Sequence, residues 1–213
     1  MLQLYYHPSN ASMAPHLLLE ELGVPFELRL VDRAQHAHKA PDYLAMNPNG
    51  LIPVLVDGDL VLYEAAAICL YLADTHAPAG LAPVVGTPAR AHFYKWLVWL
   101  TNTLQATLIV YFYPERWADD ADAAAQVKAH AQAKVGAMLD QLGAELARHG
   151  GPWLLGAAFS AVDAYALMLC RWTRGFGRPA RDLPQLGPYL QRVLARPATQ
   201  RVFEREGLAQ PWV

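Results

Sequence analysis

The stretch NPNGLIPVLVDGDLVLYE, residues 47–64, decides the fold of this chain. Its apolar runs 53–56 and 59–62 flank Asp57-Gly58, a residue pair suited to the positive φ angles of a tight hairpin turn. The run that follows, residues 64–74, has the length and composition of a helix. The stretch therefore predicts a β-β-α unit.

The residues before this stretch predict a β-α-β unit. Apolar side chains alternate over residues 2–6 and again over residues 26–30, and the leucine-rich run 17–22 between them ends at Gly23. A crossover helix makes the two strands parallel. With a short helix over residues 41–46, the order βαβ-α-ββα predicts an α/β, thioredoxin-like domain with helices on both faces of its sheet.

The rest of the chain predicts an all-α bundle. The segment APAGLAPVVGTP, residues 77–88, is rich in Pro and Gly and is typical of a linker. Beyond it, apolar residues recur at helical spacing, and Ser160 with Asp163 fits a capping box. The helical runs cover approximately residues 89–112, 127–146, 160–174 and 187–206. The predicted domain bounds are 1–77, a linker at 78–87, and 88–213.

Composition excludes several classes of protein. The 213 residues are 54% hydrophobic with a net charge of -2, which favours a globular protein and gives no electrostatic footprint for nucleic acid. Polar residues at 101–105 interrupt the most apolar stretch, 96–113, so we expect no membrane span. Cys69 and Cys170 lie in apolar helical runs and are expected to fill the core.

The N-terminus also lacks the pattern of a secretory signal, and we expect a cytoplasmic protein. The sequence contains no Gly-rich phosphate-binding loop. We predict no metal site and no cofactor.

Three segments in order, residues 5–9 (YYHPS), 47–53 (NPNGLIP) and 62–64 (LYE), resemble the cytosolic glutathione transferase family. The middle segment is similar to the family signature NPxG(K/Q/R)(V/I)P, whose proline is typically cis. The resemblance implies that Leu51, Ile52 and Pro53 bind glutathione as a co-substrate, with backbone hydrogen bonds from Ile52 to its cysteine. A cis X-Pro bond is compatible with this, since it lies only about 0.5–1 kcal/mol above trans.

Further glutathione ligands follow from the same resemblance. The carboxylate of Glu64, at a helix start, would pair with the glutathione ammonium. Ala65 stands where the family usually has Ser, so one hydroxyl is missing and only the backbone N–H remains. His38 and Lys39, in a stretch similar to HKxPxYL, would approach the glycine carboxylate.

The first βα loop holds the candidates for stabilising the glutathione thiolate: Ser9, Asn10 and Ser12. Aligning on Glu20-Glu21 favours Ser9, as in serine-type bacterial members. Aligning on Ala14-Pro15-His16 places Ala11 at the catalytic cysteine of the beta class, so the chain departs from that pattern. All three candidates stay open, and Ser12 is equally a candidate helix cap.

Aromatic residues in the second domain could wall a pocket for the second substrate. Tyr111, Tyr113 and Trp117, at the end of a helix, are the candidates. Trp96 and Trp99 are expected in the core or in a dimer interface.

The expected function is addition of glutathione to a small hydrophobic electrophile, in an enzyme that resemblance implies is a homodimer. Two alternatives stay open: glutathione-dependent disulfide or peroxide reduction, and a non-catalytic binding protein with the same fold.

Overall fold

The computed structural model describes residues 1–213, which group into two compact units. The first unit comprises residues 1–84 and 194–212, and the second comprises residues 85–193 together with Val213. Residues 194–212, near the end of the chain, therefore group with its beginning. The domain bounds given above stay a prediction.

The first unit contains a four-stranded mixed sheet in the order β2-β1-β3-β4. β1 pairs in parallel with β2, as expected, and β3 is antiparallel to both β1 and β4. The thioredoxin-like order predicted from the sequence is confirmed. The elements are β1 (Leu2–Tyr6), α1 (Met13–Leu22), β2 (Phe26–Leu30), α2 (Pro41–Met46), β3 (Val54–Asp57), β4 (Leu60–Tyr63) and α3 (Ala65–Thr75), with a 3-10 turn at Ala37–Lys39.

This topology brings four connecting segments to one edge of the sheet. In the register, Tyr5 of β1 lies beside Val54, which lies beside Tyr63 of β4. The carboxyl ends of β1, β2 and β4 therefore share an edge with the amino end of β3. The segments at that edge are residues 7–12, 31–39, 47–53 and Glu64.

The predicted hairpin is present, but its turn lies one residue later than expected. Asp57 still pairs with Leu60, so Gly58 and Asp59 form the loop instead of Asp57-Gly58. Gly58 has φ 57°, a conformation that residues with a Cβ rarely adopt. The prediction that Gly58 has a positive φ is therefore confirmed, and the pairing of Asp57 with Leu60 sets the register of the hairpin.

The second unit is helical and is built around one buried helix. α7 is buried at every residue from Ala161 to Arg171, because its neighbours cover all sides. The long helix α6 buries the expected stripe, including Val135, Leu142 and Leu146. The helices are α4 (Pro88–Trp99), α5 (Ala106–Phe112), α6 (Ala121–His149), α7 (Ala161–Trp172) and α8 (Leu186–Leu194), with a π-helical segment Leu100–Gln105 between α4 and α5.

The run 187–206 does not form one helix, which corrects the sequence-based expectation. It divides into α8 and α9 (Pro197–Arg205). Arg196 adopts an extended conformation, φ -70° and ψ 134°, because the ring of Pro197 disfavours a helical residue before it. α9 belongs to the first unit, where it packs against α1.

No helix combines the length and apolar character needed to cross a membrane. Cys69 and Cys170 are buried and unpaired, as predicted for core residues.

Candidate functional site

The loop before β3 presents an unpaired peptide edge. The Ile52-Pro53 bond is cis, as the signature implied. The carbonyl of Leu51 accepts hydrogen bonds from Tyr43 Oη and Asn47 Nδ2, each at 2.8 Å, which fixes the loop from behind. Burial raises the pKa of Tyr43, so this hydroxyl stays a donor.

No hydrogen bond within the protein uses the backbone N–H or C=O of Ile52. A buried residue with both backbone groups unpaired is uncommon, because such groups nearly always find a partner. The edge at Ile52 is therefore suited to pair with an extended peptide ligand.

Glu64 caps the start of α3 in an unusual backbone conformation. Its φ is 73° and its ψ 111°, a region that residues with a side chain seldom occupy. Its carbonyl accepts the first helical bond, from Ile68, at 3.0 Å. The side chain is exposed, and next to it the backbone N–H of Ala65 begins the helix. The pair thus offers one carboxylate and the positive end of a helix dipole.

A group of basic residues follows β2. Lys39 Nζ donates to the carbonyl of Asn49 at 3.3 Å, and His38 Nδ1 is buried without a hydrogen-bond partner. Burial lowers the pKa of His38, and the charges of nearby basic groups, Lys39 and Arg33 first among them, lower it further.

Gly50 is required where this group meets the signature loop. A Cβ there would lie 2.6 Å from Lys39 Nζ and 2.8 Å from the carbonyl oxygen of His38. The glycine therefore lets the two segments approach closely.

The three candidate polar residues of the first βα loop differ in their hydrogen bonding and burial. The hydroxyl of Ser9 has no hydrogen-bond partner in the protein, and Ser9 has φ 62°. Asn10 Oδ1 accepts the backbone N–H of Ala11 at 2.6 Å, which leaves its amide nitrogen unused. Ser12 is fully buried, with its Oγ accepting from the N–H of His7 at 3.2 Å and donating to the carbonyl of His7 at 3.1 Å. Ser12 makes no capping bond to α1, so the capping interpretation was wrong.

An aromatic cluster forms separately within the second unit. The ring of Tyr111 lies 5.1 Å from that of Phe112 and 4.3 Å from that of Phe176. The guanidinium of Arg116 lies 4.2 Å from the ring of Tyr113, and Trp117 is 52% exposed. Exposed aromatic surface of this kind is typical of binding sites for apolar molecules.

The tryptophans of α4 differ in burial. Trp96 is buried as predicted for a core residue, whereas Trp99 is half-buried against it.

Known proteins show which family has this arrangement. Residues 1–74 match the family model "Glutathione S-transferase, N-terminal domain", and residues 109–196 match its C-terminal counterpart. The glutathione S-transferase GST-4.5 of Xanthomonas campestris is 31% identical over 207 residues, 97% of this chain and 100% of the relative. The chain belongs to the glutathione S-transferase family.

Solved structures support the same assignment for this transferase. A glutathione S-transferase from Xylella fastidiosa matches with a TM-score of 0.89 at 31% identity, over 98% of this chain and all of the other. A homologue from Sulfitobacter, crystallised with bound glutathione, matches with a TM-score of 0.88 at 30% identity, over 98% and 99% of the two chains. The thioredoxin-like and helical parts of the transferase are thus confirmed, and neither alternative function is favoured.

One residue close to the loop of the transferase was missed by sequence reasoning. Glu206, after α9, accepts the backbone N–H of Ser9 through Oε2 at 2.8 Å. No local pattern could have found it, since the two residues are 197 positions apart. Tyr43 and Asn47 were also missed as supports of Leu51, although both lie close to it in sequence.

Proposed function

We propose that this glutathione S-transferase binds glutathione along the shared edge of its sheet and adds the thiolate to a small hydrophobic electrophile. The unpaired backbone of Ile52 carries this proposal. An extended tripeptide would use the N–H and C=O of Ile52 as a further strand does, and the hydrogen bonds of Tyr43 and Asn47 to Leu51 hold the loop that carries both groups.

The two ends of glutathione differ in charge, and the groups around Ile52 differ accordingly. Glu64 and the N-terminus of α3 would take the γ-glutamyl end, with the carboxylate facing its ammonium and the N–H of Ala65 facing its carboxylate. His38 and Lys39 would take the glycine carboxylate. The side chain of Lys39 is exposed, and its ammonium could pair with that carboxylate.

Ser9 is the group we propose for stabilising the thiolate. Its hydroxyl has no partner in the protein, and it lies close to the start of α1, whose dipole favours negative charge. Asn10 is second, through its free amide nitrogen. Ser12 is weakest, because its hydroxyl is buried and bonded to His7.

Tyr111, Tyr113 and Trp117 are proposed to contact the electrophile, since they combine apolar surface with hydroxyl and indole donors. A homodimer, which rests on the family resemblance, and a cytoplasmic location are part of the same proposal.

Calorimetric titration with glutathione tests binding, and the ultraviolet absorbance of the bound thiolate tests activation. We expect Ser9→Ala to lower the thiolate fraction and turnover with an aryl halide, and Asn10→Ala to do so less. Binding no tighter than millimolar would refute the assignment. A decrease caused only by Asn10→Ala or Ser12→Ala would show that Ser9 was wrongly chosen, and turnover of a small disulfide alone would favour reduction.

A further inference from the structure

Glu206 has a buried carboxylate, one oxygen of which contacts the first βα loop and the other the helix α1. Oε2 accepts the backbone N–H of Ser9 at 2.8 Å, and Oε1 accepts Nδ1–H of His16 on α1 at 2.9 Å. The side chains of Glu206 and His16 are both fully buried. One carboxylate therefore connects the loop to the helix that follows it.

The hydrogen bond from the Ser9 N–H to Glu206 lies at a residue with a disfavoured backbone conformation. At φ 62°, Ser9 occupies the left-handed region, which side chains with a Cβ disfavour. A hydrogen bond to a carboxylate is roughly twice as strong as one between neutral groups, and burial strengthens it further. Without Glu206, the Ser9 peptide would lose its only hydrogen-bond acceptor and relax toward ordinary backbone angles.

Ion pairs join α1 to α9 and to Arg196 just before it, and they hold the segment that carries Glu206 in position. Arg201 and Arg205 each contact a carboxylate oxygen of Glu20 at 2.6 Å. Arg196 pairs with Glu21 through both carboxylate oxygens. None of these pairs contacts Ser9, whereas Glu206 accepts the Ser9 N–H from the same C-terminal segment.

We propose that Glu206 is a positioning residue, which holds the Ser9 peptide in its left-handed conformation and thereby directs the hydroxyl toward the glutathione sulfur. The part concerning sulfur rests on the proposed function, whereas the part concerning loop conformation does not. By this route, the residue that follows the last helix of the chain would set the reactivity of a loop near its first strand.

The test compares Glu206→Ala with Glu206→Gln, which keeps the size and one acceptor oxygen. Glu21→Gln is the matched control, because it weakens the ion pair between α1 and Arg196, next to the start of α9, without touching Ser9. Hydrogen exchange at the Ser9 amide reports the loop. The absorbance of bound thiolate and the split between kcat and KM for glutathione report the chemistry.

We expect Glu206→Ala to speed exchange at Ser9 by at least about tenfold and to lower the thiolate fraction by about tenfold, as loss of one pKa unit of stabilisation would. Glu206→Gln should restore most of both, and Glu21→Gln should lower thermal stability alone. Should Glu206→Ala not fold, Glu206→Asp keeps the charge but falls one methylene short, and the same decreases are expected.

The proposal is overturned if Glu206→Ala changes neither exchange nor thiolate fraction, or if Glu21→Gln lowers both equally. Absence of glutathione binding by the unaltered protein would instead refute the proposed function. The exchange comparison would still decide whether Glu206 holds the loop.

Discussion

Replacing Asp163 by alanine removes the acceptor for four hydrogen bonds at the start of α7. Its carboxylate accepts from the N–H of Leu154 at 2.8 Å, the hydroxyl of Tyr189 at 2.9 Å, and the N–H and Oγ of Ser160 at 2.9 and 3.2 Å. Asp163 and Tyr189 are almost completely buried. Water therefore cannot replace the lost acceptor without opening the helix start.

The expected loss in free energy of unfolding follows from these contacts. Loss of the capping box at Ser160 is worth about 1 kcal/mol. The buried donors of Leu154 and Tyr189 would be left unsatisfied, at about 1–3 kcal/mol each. Burial raises the pKa of Asp163 in spite of its four donors, so removing the carboxylate also removes a desolvation cost. We therefore expect a net loss of about 3 kcal/mol, against a typical total stability of about 5–15 kcal/mol.

Urea denaturation followed by circular dichroism measures this loss. With a slope of about 2–3 kcal/mol per M, the midpoint should decrease by about 1–1.5 M. Asp120→Ala is the matched control, because Asp120 caps α6 through one exposed bond to Ala123, at 2.7 Å, and should cost only about 1 kcal/mol. If Asp163→Ala lowers the midpoint no more than Asp120→Ala does, the argument from buried donors is wrong.

Four further results are expected. Glu64→Gln should weaken glutathione binding by about tenfold in calorimetry, because it removes the charge facing the ammonium, and an unchanged affinity would contradict this role. Ala65→Ser should tighten the same binding by about two- to tenfold, by restoring one hydroxyl donor, and weaker binding would contradict the reasoning. Burial of Glu20 raises its pKa, but two arginines of α9 lower it more, so the net pKa lies below the ordinary 4.5. The ion pairs of Glu20 therefore stabilise the fold fully above pH 4.5, and this stabilisation is lost as pH falls through the lowered pKa. Glu20→Gln should therefore reduce the acid dependence of the melting temperature, and an unaltered dependence would show that the pairs contribute nothing. Burial raises the pKa of Cys69 and raises that of Cys170 to about 12, so neither thiol should react with a disulfide reagent before unfolding, and one fast-reacting thiol would contradict their burial.

Local patterns predicted most of the fold because each depends on residues close together in the chain. Alternation over residues 2–6 and 26–30 and the capping box at Asp163 became the expected elements, and the hairpin turn at Gly58 formed one residue later than expected. The run 187–206 keeps helical spacing but forms two helices, because Pro197 restricts the backbone of the residue before it.

The sequence by itself determined the strands and most of the helices, since backbone preference and apolar spacing act over a few residues. The cis turn at Ile52-Pro53 was implied by the resemblance of residues 47–53 to a family signature. Tertiary structure decided which polar groups are free. It buried Ser12 against His7, left the hydroxyl of Ser9 unpaired, and brought Glu206 to the loop from 197 positions away. Hydrogen bonding between distant segments depends on how α9 packs against α1, and no local pattern encodes that packing.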